Sequence, residues 1–130
     1  RQLTRIKEQR EDFAVFAAFD DLLLPSLQMG AAGAINGTAV FLPGLSVQLF
    51  ESFHARQYDE ALKANESILR LMDIYELSQP LYLAIKEAVH QLILRRHTAL
   101  RPPVREWDEL KESIRMFLNK NNIHSISVKN

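Results

Sequence analysis

Apolar residues follow two regimes along the chain, and the change comes at Pro43. Ahead of it they form short unbroken runs. Phe13-Ala-Val-Phe-Ala17 is bounded by the charged segment from Arg1 to Asp12 and by Asp20-Asp21. A run so short, with β-branched and aromatic members, predicts a strand buried on both faces, as in a parallel sheet. Leu3, Ile6 and Lys7 stand at helical spacing in the charged segment before it. After it, Asp20 and Asp21 occupy helix N-cap positions ahead of Leu22, Leu23, Leu24, Leu27 and Met29. Pro25 falls in the first turn or so, where it is tolerated, and Gly30 is placed to end the helix. Gly33-Ala-Ile-Asn-Gly37 predicts a second short strand, so strand, helix and strand form a tight βαβ unit with parallel strands.

From Pro43 to Lys120 the spacing is helical almost throughout. Leu45, Leu49, Phe50 and Phe53 line one helix, and Tyr58, Ala61, Leu62, Asn65, Ile68, Leu69 and Met72 the next. Leu81, Ala84, Ile85, Ala88, Val89 and Leu92 form a stripe just after Pro80, a residue suited to the first helical position. Arg101-Pro-Pro103 breaks the chain, and Trp107, Leu110, Ile114, Phe117 and Leu118 line a last amphipathic helix. Residues 121–130 alternate only weakly and are left unassigned. Two parallel strands expose two unpaired edges and an open face, whereas parallel sheets have both faces covered and several strands paired. Further strands are therefore expected from elsewhere, and no Met precedes Arg1.

Sixteen Lys and Arg balance sixteen Asp and Glu, so the chain lacks the basic footprint of sequence-independent phosphate binding, and no nucleic-acid partner is expected. The absence of cysteine excludes thiol nucleophiles and Cys-type zinc, and fits a reducing cytoplasm. No apolar stretch approaches the length that spans a bilayer, and residues 1–12 do not read as a signal peptide. His54, His90, His97 and His124 are scattered without an i, i+4 pair, so no metal site is expected. The serines show no nucleophile elbow. Gly30-x-x-Gly33-x-x-x-Gly37 lacks both the P-loop ending and the dinucleotide spacing. Arg95-Arg96-His97 reads as a basic helix end, and Arg101 and Arg105 as ties between helices.

The segment from Phe13 to Pro43, with its Ala18-Phe-Asp-Asp21 and Gly30-Ala-Ala-Gly-Ala-Ile35 steps, resembles strand seven, its helix and strand eight of the dihydrodipicolinate synthase and N-acetylneuraminate lyase family. Tyr58-Asp-Glu-Ala61, Pro80-Leu-Tyr-Leu-Ala-Ile-Lys-Glu-Ala88 and Arg101-Pro-Pro103 are similar to that family's C-terminal helical region. The order of these motifs carries the likeness over residues 1–120.

The resemblance implies an α/β fold: the last two strands of a (β/α)8 TIM barrel followed by a helical bundle. Residues 1–43 are then the end of the barrel, 44–120 the last barrel helix and the bundle, and 121–130 a tail. It also implies class I aldolase chemistry, in which a Lys Schiff base turns the ketone of pyruvate or another 2-oxo acid into an electron sink. The family's Schiff-base Lys and catalytic Tyr lie upstream of Arg1. Neither Lys7 nor Lys86 is assigned that role, so no catalytic residue is expected in this chain, which alone is expected to be inactive. No cofactor is implied. The partners implied are a small 2-oxo acid and an aldehyde, the missing N-terminal half of the barrel and further copies in a cytoplasmic tetramer.

Asp20 and Asp21 correspond to the acidic pair that meets the substrate's hydroxylated tail in the lyase branch, at the strand ends where barrel sites lie. Local pattern alone favours helix capping for them. Ile35, Asn36, Gly37 and Thr38 align with residues bordering the 2-oxo acid, although the glycines equally permit tight strand–helix packing. The candidate substrate-binding set is Ala18, Asp20, Asp21, Ile35, Gly37 and Thr38. Ala18 replaces the family's usual Gly, the bulky Phe19 stands where Pro, Asp or Tyr is more usual, and Gly37 stands where the lyase branch often has Ser. These departures keep open a second reading, an inactive helical interaction or oligomerisation module with the Leu81 to Leu92 stripe as its interface.

Overall fold

The computed structural model describes residues 2–95, 99–100 and 108–124. It divides into two compact units, Arg1–Arg70 and Leu71–Asn130.

In the first unit, α1 (Gln2–Gln9) leads into β1 (Phe16–Ala17). A 3-10 turn (Asp20–Leu22) and α2 (Leu23–Gln28) then lead to β2 (Gly33–Ala34). A second 3-10 turn (Thr38–Val40) precedes α3 (Pro43–His54) and α4 (Tyr58–Leu71), whose last residue belongs to the second unit. The strands pair in parallel, Phe16 opposite Gly33 and Ala17 opposite Ala34. The ladder is extended by Ala32 N–H donating to the Val15 carbonyl and Ile35 N–H to the Ala17 carbonyl, each at 2.8 Å. The expected βαβ unit is thus present, with shorter strands than the apolar runs.

Gly30 closes α2 at φ +88°, its N–H donating to Leu27 O at 3.0 Å while Ala31 N–H donates to Ser26 O at 2.9 Å. This is a Schellman cap, in which a left-handed residue lets the chain turn back onto the last carbonyls. Arg56 (φ 60°) closes α3 with the same pair of bonds, to Phe53 O at 3.0 Å and from Gln57 to Ser52 O at 2.8 Å.

Two expectations are corrected here. The first strand is not buried on both faces: Ala17 is buried, but Phe16 is 53% exposed, because one neighbouring strand and no covering layer lie against it among the described residues. Nor do Asp20 and Asp21 cap a helix. A 3-10 turn is inserted after Phe19, α2 begins after Leu22, and neither cap residue makes a side-chain hydrogen bond.

Leu23 and Leu27 of α2, Leu49 of α3, and Ala64 and Ile68 of α4 form one buried cluster, with Leu24, Ala34, Leu45, Phe50 and Phe53 packed against it. Each fully buried aliphatic side chain of this kind contributes about 1.5–3 kcal/mol. On α4 the buried arc is Ala61, Ala64, Asn65 and Ile68, whereas Tyr58, Leu62 and Leu69 are exposed. Those three lie about a quarter turn round the helix. The apolar arc is wider than the surface that meets it.

The second unit contains a 3-10 turn (Met72–Leu77), α5 (Tyr82–Val89), a π-helical turn (His90–Leu94) and α6 (Asp108–Lys120). Ile74, Leu83, Ala84, Ile85, Ala88, Leu92, Leu110, Ile114, Phe117 and Leu118 are buried in it. Gln91 ties the π turn to α6, its side-chain amide donating to the Lys111 carbonyl at 2.9 Å as well as to Glu87. Asn122 (φ 55°) ends α6 in the same left-handed way, and Ile123 beyond it is buried.

Pro80 is not the first residue of α5. It precedes the cap residue Leu81, and the helix entry is held instead by Ser78, whose Oγ accepts the Ala84 N–H at 3.0 Å and donates to the Pro80 carbonyl at 3.1 Å. The stripe from Leu81 to Leu92 is not a free interface either. Ala84, Ile85, Ala88 and Leu92 are consumed by the unit's own core, leaving only Leu81 exposed at its start. Arg96, His97, Arg101, Pro102, Pro103, Arg105, Trp107 and residues 125–130 lie outside the described residues.

Candidate functional site

The C-terminal ends of both strands and the start of α3 are joined by one buried polar knot. Asp20 follows β1 and is 2% exposed. Its Oδ1 accepts the Asn36 side-chain amide at 2.8 Å, the Thr38 backbone N–H at 3.1 Å and the Thr38 hydroxyl. Asn36 Nδ2 also lies 3.4 Å from Ser46 Oγ in the first turn of α3. Three donors converging on one carboxylate oxygen offset the cost of taking that oxygen out of water. They also fix the backbone that leaves β2, since one of them is the Thr38 main-chain amide.

Around this knot the remaining candidates separate by exposure. Thr38 is buried with Asp20, and Gly37, half-buried, sits at the head of the turn that Thr38 begins. Ala18 and Asp21 are exposed on either side of Asp20, and Ile35 is 76% exposed. The structure therefore brings Asp20, Asn36 and Thr38 into one contact and leaves Ala18, Asp21 and Ile35 on the surface around it. Ser46 is the member that sequence reasoning missed. A single hydroxyl in the otherwise apolar first turn of α3, Pro43-Gly-Leu-Ser46, was the available signal.

A cavity of 440 Å³ lies beside the knot, between β2 and α3, lined by Phe16, Gly33, Ala34, Asn36, Val47 and Phe50 among others. Its walls are mostly apolar, and among the described residues Glu51 is the sole titratable side chain on them, so these residues supply no acid–base pair there. The two lysines set aside above are engaged elsewhere. Lys7 donates to the backbone carbonyls of Glu11 and Phe13, ahead of β1, and Lys86 donates to the Ala99 carbonyl at 2.8 Å. Among the described residues, no three His, Cys, Asp or Glu side chains are grouped to hold a metal ion, and no helix is long and apolar enough to cross a membrane.

Comparison with known proteins gives a consistent result. Residues 1–120 match the profile of the dihydrodipicolinate synthetase family. An uncharacterized DapA-like lyase of Thermococcus onnurineus is 32% identical over 119 residues, which are 91% of this chain and 41% of that protein. A probable 2-dehydro-3-deoxy-D-pentonate aldolase of Escherichia coli is 31% identical over 93% of this chain and 40% of its own length. Among solved structures, N-acetylneuraminate lyase of Fusobacterium nucleatum superposes with a TM-score of 0.78 at 28% identity, over 92% of this chain and 40% of that one. A prophage protein of the dihydrodipicolinic acid synthase family from Escherichia coli, solved in complex with pyruvate, superposes with a TM-score of 0.85 at 24% identity, over 93% and 41%. The chain spans about two-fifths of the length of the curated relatives it matches.

Proposed function

Because the chain belongs to the dihydrodipicolinate synthetase family, we propose that it is the C-terminal part of a lyase or aldolase acting on pyruvate or another 2-oxo acid through a Lys Schiff base. The Lys and a catalytic Tyr are supplied by residues upstream of Arg1. The observation that carries this reading is the asymmetry of the matches, nine-tenths of this chain against two-fifths of each relative. On this reading β1 and β2 are the last two strands of a (β/α)8 barrel, and an upstream strand and its neighbours cover the exposed Phe16 and Ile35. Residues 44–120 supply the last barrel helix and the C-terminal bundle. The protein is a cytoplasmic homo-oligomer.

At the C-terminal ends of the strands, where barrel sites lie, Asp21 and Ala18 border the substrate's tail. Ile35, Gly37 and Thr38 border the 2-oxo acid. An imine formed with the upstream Lys withdraws electrons from the C–C bond, and the aldehyde leaves or adds through the enamine. The chain's own part is to bind and orient, since Lys7 and Lys86 are both engaged away from the C-terminal ends of the strands.

The test is borohydride reduction of the natural polypeptide carrying these residues in the presence of pyruvate, read by peptide mass. An adduct on a Lys upstream of Arg1 supports the reading. Failure to form an adduct, or an adduct on Lys7 or Lys86, overturns it.

A further inference from the structure

Asp20 and Asp21 are adjacent acids in one turn, yet they live in opposite surroundings. Asp21 is exposed, whereas Asp20 is 2% exposed and gives a single oxygen to three donors from 16 and 18 residues downstream. A carboxylate oxygen offers about two lone-pair sites, so a substrate hydroxyl reaching Oδ1 would first have to displace Asn36 or Thr38. What those donors have in common is the segment leaving β2. Asn36 is further tied toward Ser46 of α3, and the Thr38 amide heads the 3-10 turn.

We propose that Asp20 is a positioning residue that fixes the Asn36–Thr38 segment beside the 2-oxo acid, and that Asp21 alone is the carboxylate presented to the substrate's tail. The proposal rests on the function proposed above and divides between two acids a role that adjacency in sequence assigns to both. Asp20 acts on pyruvate through Thr38 and Gly37. Its loss is therefore read at the 2-oxo acid, not at the aldehyde.

The experiment uses the natural polypeptide with the substitutions Asp20→Asn, Thr38→Val, Thr38→Ser, Asp21→Asn and the double Asp20→Asn/Thr38→Val. Three readouts are taken: the pyruvate concentration that half-saturates borohydride trapping, the aldehyde concentration that half-saturates turnover, and exchange of the Thr38 amide proton. Asp20→Asn and Thr38→Val each raise the half-saturating pyruvate about tenfold, the scale of one lost charge-assisted hydrogen bond. The double variant is no worse than the worse single one, Thr38→Ser restores saturation, and Asp21→Asn weakens the aldehyde instead. If Asp20→Asn fails to fold, Thr38→Val and Thr38→Ser probe the same bond from its other end. Additive single effects overturn the proposal, as does a change confined to the aldehyde on Asp20→Asn. If the unsubstituted protein forms no adduct, the functional reading falls. The strut is then judged by the Thr38 amide alone: faster exchange in Asp20→Asn upholds it, and unchanged exchange overturns it.

Discussion

Leu49 and Val47 stand two residues apart on α3 and face opposite ways: Leu49 is 0% exposed in the cluster with Leu23, Leu27, Ala64 and Ile68, while Val47 is 51% exposed at the cavity rim. Leu49→Ala removes three carbons from a site with no contact to water. At about 0.8 kcal/mol per buried carbon that is about 2.4 kcal/mol of transfer free energy, and the cavity left among the cluster brings the loss to about 3–4 kcal/mol. Val47→Ala removes two carbons from a side chain half in water, so the loss in the described structure is about 0.8 kcal/mol. If an upstream strand covers the rim in the natural polypeptide, Val47 is buried there and the loss doubles to about 1.6 kcal/mol. Urea unfolding followed by circular dichroism measures both, with an unchanged dependence on denaturant required for the comparison. A loss below about 1 kcal/mol for Leu49→Ala refutes the core described here. A Val47 loss that stays near 0.8 kcal/mol refutes a covering strand.

The left-handed helix ends give a paired prediction. Gly30→Ala meets nothing closer than Lys7 Cε at 3.9 Å, so its cost is backbone strain alone, about 1 kcal/mol, whereas Arg56→Gly at φ 60° stabilises by about 0.5–1 kcal/mol. Thermal unfolding of the two variants should shift in opposite directions. Ser78→Ala removes the closer of the Ala84 amide's two acceptors, leaving the Leu81 carbonyl at 3.2 Å, and costs about 0.5–1 kcal/mol, read in the same way. The Arg10 guanidinium holds the Asp12 carboxyl below the usual carboxylate range. Its contribution is therefore full above the unfolded value and fades as pH falls through the lowered one. Both groups are exposed, so an acid titration of stability should show this limb flatten on Asp12→Asn or on adding salt.

Local pattern located the elements because each one's burial is written at its own period. The apolar run before Asp20, the Gly30 stop and the Leu110, Ile114, Phe117 spacing all appear where the pattern put them. What the pattern does not encode is which part of an apolar arc finds a partner. Tyr58, Leu62 and Leu69 share the periodicity of Ala61 and Ile68 but lie beyond the surface contributed by α2 and α3. The same limit governed Asp20. Its neighbours in sequence look like a helix start, and its true partners at Asn36 and Thr38 are reached only after the chain has passed through α2 and β2. Pro80 failed for a related reason. A residue that suits a first helical position cannot reveal that a serine two residues earlier already holds the helix entry.

The span of the Asp20 knot bears on how the molecule is made as well as on what it does. Loop-closure entropy rises only as about (3/2)RT ln n, so bringing together groups 16 to 18 residues apart costs far less delay than assembling contacts that span a whole barrel. The segment leaving β2 can thus acquire its final shape while the chain around it is still unfolded. On the proposed barrel reading, slow, long-range closure follows around a rim that is already set, and errors in that closure leave Phe16 and Ile35 open to neighbouring chains.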